Sequence, residues 1–264
     1  MWETKRLLVV VKTYPNPSRK HQETVCTAAV DEHGSWHRLY PIRFRDLSEP
    51  QQYSKFDWIE ARVRRAARDG RPESYNVDED SIKRVGAIPS SQWDERLRLL
   101  RPGLVESVED LQRQNAASGR SLALLKPNIS GFDISDDPDP TWSAEQLEFL
   151  AQAQLPLPGT PARPAKRQLQ KIPYQFRYVF DDRSPECPGH RMQIFDWEIY
   201  ELARKYTRDP DELREKVSLK YEGEFLSSRD VHLVLGTLAA HPDTFTIVGV
   251  VAPPRRLQMS FDFG

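Results

Sequence analysis

Apolar and polar positions along this chain switch between recognisable periods, and each period predicts an element. The unbroken run of residues 6–12 contains Val9, Val10 and Val11 and leaves no position for solvent, so it predicts a strand buried on both faces. Tyr14-Pro-Asn-Pro-Ser follows as a stiff loop, because each proline fixes φ and removes a donor. Residues 23–30 predict a second strand, and Asp31 to Gly34 a turn with glycine where positive φ is needed. Residues 35–40 return as a hairpin strand, in which a period of two puts Trp36, Arg38 and Tyr40 on one face and His37 and Leu39 on the other. Either that first face is core and Arg38 is buried with a partner, or it is an exposed ladder of rings and a cation suited to stacking bases and gripping phosphates. Residues 56–65 alternate again, with Ile59, Ala61 and Val63 opposite Trp58, Glu60, Arg62 and Arg64. With a short strand at 75–77, residues 1–88 predict an OB-like small β-barrel.

Helical spacing then takes over. Residues 91–100, 107–116 and 143–152 each begin with a serine and early acids, and predict capped helices within a helical connecting region at 89–154. Residues 121–127 and 128–134 offer a strand pair inside it. A Pro-rich basic linker spans 155–171. Beyond it Tyr174, Phe176, Tyr178 and Phe180 share the face of a strand, residues 198–205 and 211–221 read as helices, and 230–238 and 244–251 as strands. Residues 172–254 thus form a second α+β domain, followed by a flexible tail at 255–264. The expected fold class is α+β.

Charge changes the picture through its distribution. Lysine plus arginine is 38 and aspartate plus glutamate 39, a net charge of −1. Yet five arginines crowd residues 62–71 against the single Asp69, and residues 163–177 carry five cations and no acid. A neutral chain can therefore present a basic face. No apolar stretch reaches the roughly 20 residues of a spanning helix, so no membrane partner is expected, and two cysteines imply no disulfide framework. Both suit a cytoplasmic protein.

The block from residue 12 to 47 interleaves rings with cations, and Lys12, Tyr14, Arg38, Tyr40, Arg43 and Arg45 are the candidate contacts to DNA or RNA. An enzyme reading rests on Asp196 and Glu198 with Lys220: two acids could hold magnesium while a lysine orients water. The same acids could instead stand at a helix start, where they favour the dipole. Cys187-Pro-Gly-His190 offers two metal ligands at knuckle spacing, where a structural zinc site needs four. Gly-rich phosphate loops and hydrolase signatures are absent from the sequence, and no cofactor is expected apart from magnesium in a nuclease.

Two resemblances add to this. Trp36 to Pro41, after the Lys12-Thr-Tyr-Pro15 loop, resembles an uncharacterised group of bacterial proteins with OB-like domains, which supports the barrel. Gln258-Met-Ser-Phe-Asp-Phe263 resembles the hexapeptide that binds the bacterial sliding clamp. It implies that Met259, Phe261 and Phe263 enter an apolar groove while Gln258 fixes orientation. The expected function is nucleic-acid binding in bacterial DNA metabolism or anti-phage defence, with a nuclease and a purely protein-binding adaptor as alternatives.

Overall fold

In a computed structural model describing residues 1–18, 22–152 and 168–255, the amino-terminal apolar run is β1 (Glu3–Lys12). There follow β2 (Asn16–Ser18), β3 (Gln22–Val30), β4 (Trp36–Ile42), β5 (Asp57–Arg65), β6 (Ser74–Val77) and β7 (Lys83–Ala87). Strand β1 pairs with both β3 and β5, β3 with β4, β4 with β6 and β6 with β5, so five strands close into a barrel. Every pairing in the ring is antiparallel except β4 with β6. This closed five-stranded barrel is compatible with an OB-like domain.

The second half contains α1 (Trp93–Leu100), β8 (Leu104–Val105), α2 (Val108–Ser118), β9 (Leu122–Leu125), β10 (Asn128–Asp136), α3 (Ala144–Gln152), β11 (Tyr174–Asp181), β12 (His190–Gln193), α4 (Trp197–Arg204) and α5 (Pro210–Ser218). A π-helical segment, Leu219–Glu224, leads into α6 (Phe225–Ser228), and β13 (His232–Leu238) and β14 (His241–Val251) complete the described chain. One sheet runs β14-β13-β9-β8 and another β10-β11-β12. The fold is α+β, as the sequence leads one to expect.

Two expectations need correction. Strands β9 and β10 do not pair with each other: β9 lies between β13 and β8, and β10 lies against β11. Strands β8, β9 and β10 are therefore woven into the sheets of the second half, whereas α3 packs on β2 and β3 at the barrel. Strand β9 pairs with β13 more than 100 residues on and β10 with β11 across an intervening helix, and pairing at such separations leaves no local signal, which is why periodicity finds the strands but not their partners.

Strand β1 explains how the halves join. Leu7 and Val9 point into the barrel with Leu39, Ile59 and Val63, whereas Leu8 and Val10 point outward onto Leu122, Leu124, Val234 and Val248. The outer face of the barrel is thus the inner face of a second core, and burial on both faces follows. Trp36 belongs to that second core and seats its indole on Gly103, where an added Cβ would lie 2.0 Å from Nε1. A Gly103→Ala chain should therefore unfold about 1–3 kcal/mol more easily. Urea denaturation followed by Trp fluorescence reads this, and an unchanged midpoint would show that the indole can move aside.

Candidate nucleic-acid interface and the domain junction

The six residues singled out in the amino-terminal block do not share one surface. Arg38 is only 3% exposed. Its guanidinium crosses the junction to the carbonyl of Ser121 at 3.0 Å and the Ser121 hydroxyl at 3.1 Å, with Cys26 Sγ at 3.5 Å. The exposed ladder is corrected here: the second sheet covers that face of β4, and Arg38 presents nothing to a polynucleotide. Tyr14 is also held inside the junction, stacked on Tyr200 at 5.1 Å, with its hydroxyl donating to the carbonyl of Gln170 at 2.8 Å. Burial pushes its phenol up. Arg43 is clasped by Glu79 through its backbone and its guanidinium, and Arg45 pairs with Glu23 at 3.0 Å. Tyr40, the most exposed of the six as a whole residue, lines a cleft on the barrel, while Tyr14 and Arg45 line a separate, smaller one beside Trp197.

Lys12 packs its ammonium 3.5 Å from the Phe44 ring centroid and 4.4 Å from that of Trp197. Burial is the main influence and lowers its pKa to about 8, against a partial pull upward from Glu198, Glu201 and Asp196. The folded chain consequently holds fewer protons than the unfolded one between about 8 and 10.5, so this amine makes stability rise with pH across that window. Lys12→Met should abolish that rise. Unfolding free energies on either side of the window check it, and equal rises in both chains would refute the placement.

Asp196 and Glu198 do come together, at the start of α4. Asp196 caps the helix, accepting from the Glu198 N–H at 3.1 Å, and also accepts from the Val250 N–H at 2.7 Å. Lys55 reaches in from the barrel and sets its ammonium 3.0 Å from Asp196 Oδ2, 3.2 Å from Glu198 Oε2 and 2.9 Å from the carbonyl of Val250. Lys220 is close enough to help hold Glu198 below the usual carboxylate range, after the larger effect of Lys55. Burial alone would depress Lys55, but the two carboxylates outweigh it and raise its pKa. Burial raises Asp196 despite Lys55. A hydrated magnesium ion keeps several waters. Asp196 is 1% exposed and Lys55 already fills the space between the acids, so the geometry is that of a latch between the halves. Nothing in the sequence marks Lys55, because its partners lie about 140 residues away.

The cationic surface lies elsewhere. A cleft of about 820 Å³ opens beside the loop joining β5 to β6, lined by Tyr40, Arg64, Arg65, Arg68, Tyr75 and Asn76 among others. Arg64 lies over the Trp2 ring at 4.8 Å and Arg65 over Tyr75 at 5.3 Å. All three arginines are exposed, and none pairs with a carboxylate among the described residues. Arg62, on the same strand, is taken by Asp78 at 3.4 Å, and Lys171 by Asp137 at 3.0 Å. The charge run at residues 62–71 signalled this cluster, but periodicity could not say which of its members stay free. Cys187 and His190 sit together at the start of β12, with Sγ and Nε2 3.3 Å apart. Gln258, Met259, Phe261 and Phe263 lie outside the described residues.

A closed barrel joined by a shared core to a mixed second half, with an unpaired arginine cleft on the barrel rim, defines the class of protein. Residues 105–263, more than half of the chain, match the family described as a domain of unknown function, DUF8757, and the chain belongs to that family. Residues 3–102 match a second such family, DUF8758, which takes in the barrel and α1, so the two matches meet at β8. No curated protein matches the chain. No helix among the described residues is long and apolar enough to cross a membrane.

Proposed function

We propose that the protein binds single-stranded nucleic acid along the cleft bounded by Tyr40, Tyr75 and the arginines of residues 64–68. The observation that carries this reading is the set of three exposed arginines without carboxylate partners, interleaved with exposed or half-exposed rings. An unpaired guanidinium keeps its donors for phosphate, and rings at that spacing accept unstacked bases. The cleft adjoins the loop between the fourth and fifth barrel strands, a position OB-like barrels use for oligonucleotides, which supports the reading by fold analogy.

Single-strand binding loses affinity with salt at a slope of about −0.7 for each phosphate neutralised. Replacing Arg64, Arg65 and Arg68 together by alanine should therefore flatten the slope by about 2 and weaken binding at low salt. Fluorescence anisotropy with a labelled oligonucleotide across a salt series measures it. No binding by the wild-type chain at low salt, or an unaltered slope in the variant, would remove the proposal. Recruitment to a sliding clamp remains a proposal from the Gln258 to Phe263 sequence alone. Co-purification that survives nuclease treatment, but not deletion of residues 258–264, is its expected result.

A further inference from the structure

The loop between β11 and β12 draws together side chains that the nucleic-acid reading does not use. His190 Nε2 lies 3.1 Å from Asp182 Oδ2, 3.3 Å from Cys187 Sγ and 3.5 Å from Glu109 Oε1. Asp182, Cys187 and His190 offer ligand atoms that all lie within 4.8 Å of one another. Glu109 arrives from the first turn of α2, which Ser107 caps. Its Oε2 is buried and has no hydrogen-bond partner.

Hydrogen bonding among these groups does not satisfy them. A neutral imidazole carries at most one proton on Nε2, yet two carboxylate oxygens and the Cys187 sulfur converge on that nitrogen, so at least one carboxylate oxygen faces it without a hydrogen between them. Two carboxylates beside one ring also concentrate negative charge, with the Asp182 side chain wholly buried and that of His190 only 9% exposed. A cation at the centre resolves both problems. Ligands bonded to zinc at about 2.0–2.3 Å in a tetrahedron stand roughly 3.3–3.7 Å apart. The distances from His190 Nε2 fall close to those edges.

The surroundings are arranged as outer partners of a metal site usually are. The Asp182 N–H points at Cys187 Sγ at 3.4 Å, and Asp182 itself accepts from the N–H groups of Ser184 and Val108 at 2.9 Å each. Gly189, at φ 79, makes the turn that returns His190 to the cluster, a conformation that favours glycine.

We propose that Asp182, Cys187 and His190 bind a zinc-class divalent transition metal, with Glu109, which lies 3.5 Å from His190 Nε2 but outside that compact group of three, turning its carboxylate in as the fourth ligand. One thiolate and one imidazole select against magnesium and calcium, and four protein ligands describe a closed structural site. Binding displaces the Cys187 thiol proton to solvent, and the ion ties the 182–189 loop to the start of α2.

The full-length chain, stripped with chelator and titrated with Co²⁺, provides the test. Expected are one ion per chain, the intense visible bands of tetrahedral cobalt and a near-ultraviolet thiolate charge-transfer band, all displaced by Zn²⁺. Cys187→Ser should lose the charge-transfer band. Glu109→Gln replaces a part-exposed ligand on a helix that keeps its serine cap, and should weaken Zn²⁺ binding at least about tenfold. Should Cys187→Ser fail to fold, the wild-type spectrum and the Glu109→Gln titration still decide. A wild-type chain with native circular dichroism that takes up no Co²⁺, binds it with only weak octahedral bands, or binds Zn²⁺ as tightly after Glu109→Gln overturns the site.

Discussion

Lys55→Met should lower the unfolding free energy by about 3–5 kcal/mol at neutral pH, the usual cost of stripping a buried carboxylate of its counter-charge. Asp196 is 1% exposed, and Lys55 is the cation it contacts. The methionine keeps the apolar stem but removes a charge that also donates to the carbonyl of Val250. The deficit should depend on pH in a definite direction. Burial already raises the Asp196 carboxyl, and the loss of Lys55 raises it further. A group whose folded pKa lies above its unfolded value contributes stability fully present below the unfolded value and lost as pH rises through the folded one. The variant's deficit should consequently shrink on acidification, as Asp196 becomes a neutral acid. Urea unfolding at neutral and acidic pH measures this. Adding Asp196→Asn to the variant should restore part of the loss at neutral pH. A deficit independent of pH, or a double variant no more stable than Lys55→Met, would show that the latch is not electrostatic.

Arg38→Ala should destabilise the chain by about 2–4 kcal/mol while leaving the salt dependence of nucleic-acid binding unchanged. Removing the guanidinium leaves the buried Ser121 carbonyl with the Thr237 N–H at 3.2 Å as its other donor, so the loss is two hydrogen bonds at roughly 0.5–1.5 kcal/mol each plus a cavity against Cys26 and the second sheet. Ser121 is also held by Glu73, through its N–H at 2.9 Å and its hydroxyl at 3.0 Å, so the damage reaches the turn that precedes β6. Thermal or urea unfolding reads the first effect, and anisotropy well below the unfolding transition reads the second. A folded Arg38→Ala chain with a flattened salt slope would return this arginine to the interface and displace the arginine cleft from the leading role.

The outcomes expected for Arg38 and for Arg64, Arg65 and Arg68 differ because two cationic segments look alike in the sequence and meet different surroundings in the fold. Arg38 alternates with Trp36 and Tyr40 in a pattern equally consistent with an exposed ladder and with burial. The sheet that covers it is formed by β9, β13 and β14, which begin more than 80 residues later. Arg64 is exposed because Ile59, Ala61 and Val63 fill the barrel from the opposite face of β5, an alternation that is plain in the sequence, whereas Arg65 ends that strand and Arg68 lies in the loop beyond it. What could not be read there is which arginines find acids: Arg62 meets Asp78 across the barrel rim and its neighbours meet none. Likewise Cys187 and His190 announced themselves by spacing, whereas Asp182 and Glu109 join them only through the packing of a loop on a helix.

By itself, the amino-acid sequence determined the barrel strands, most of the helices and the placement of apolar faces. Those follow from local periods of two and 3.6 and from capping residues, and neighbours along the chain suffice to express them. Tertiary structure alone decided which faces became a second core, which charges were neutralised and which side chains converged on the latch, the cleft and the four-residue cluster. Pairings over long sequence separations depend on complementary surfaces meeting in space, and a linear pattern records each surface without recording its partner.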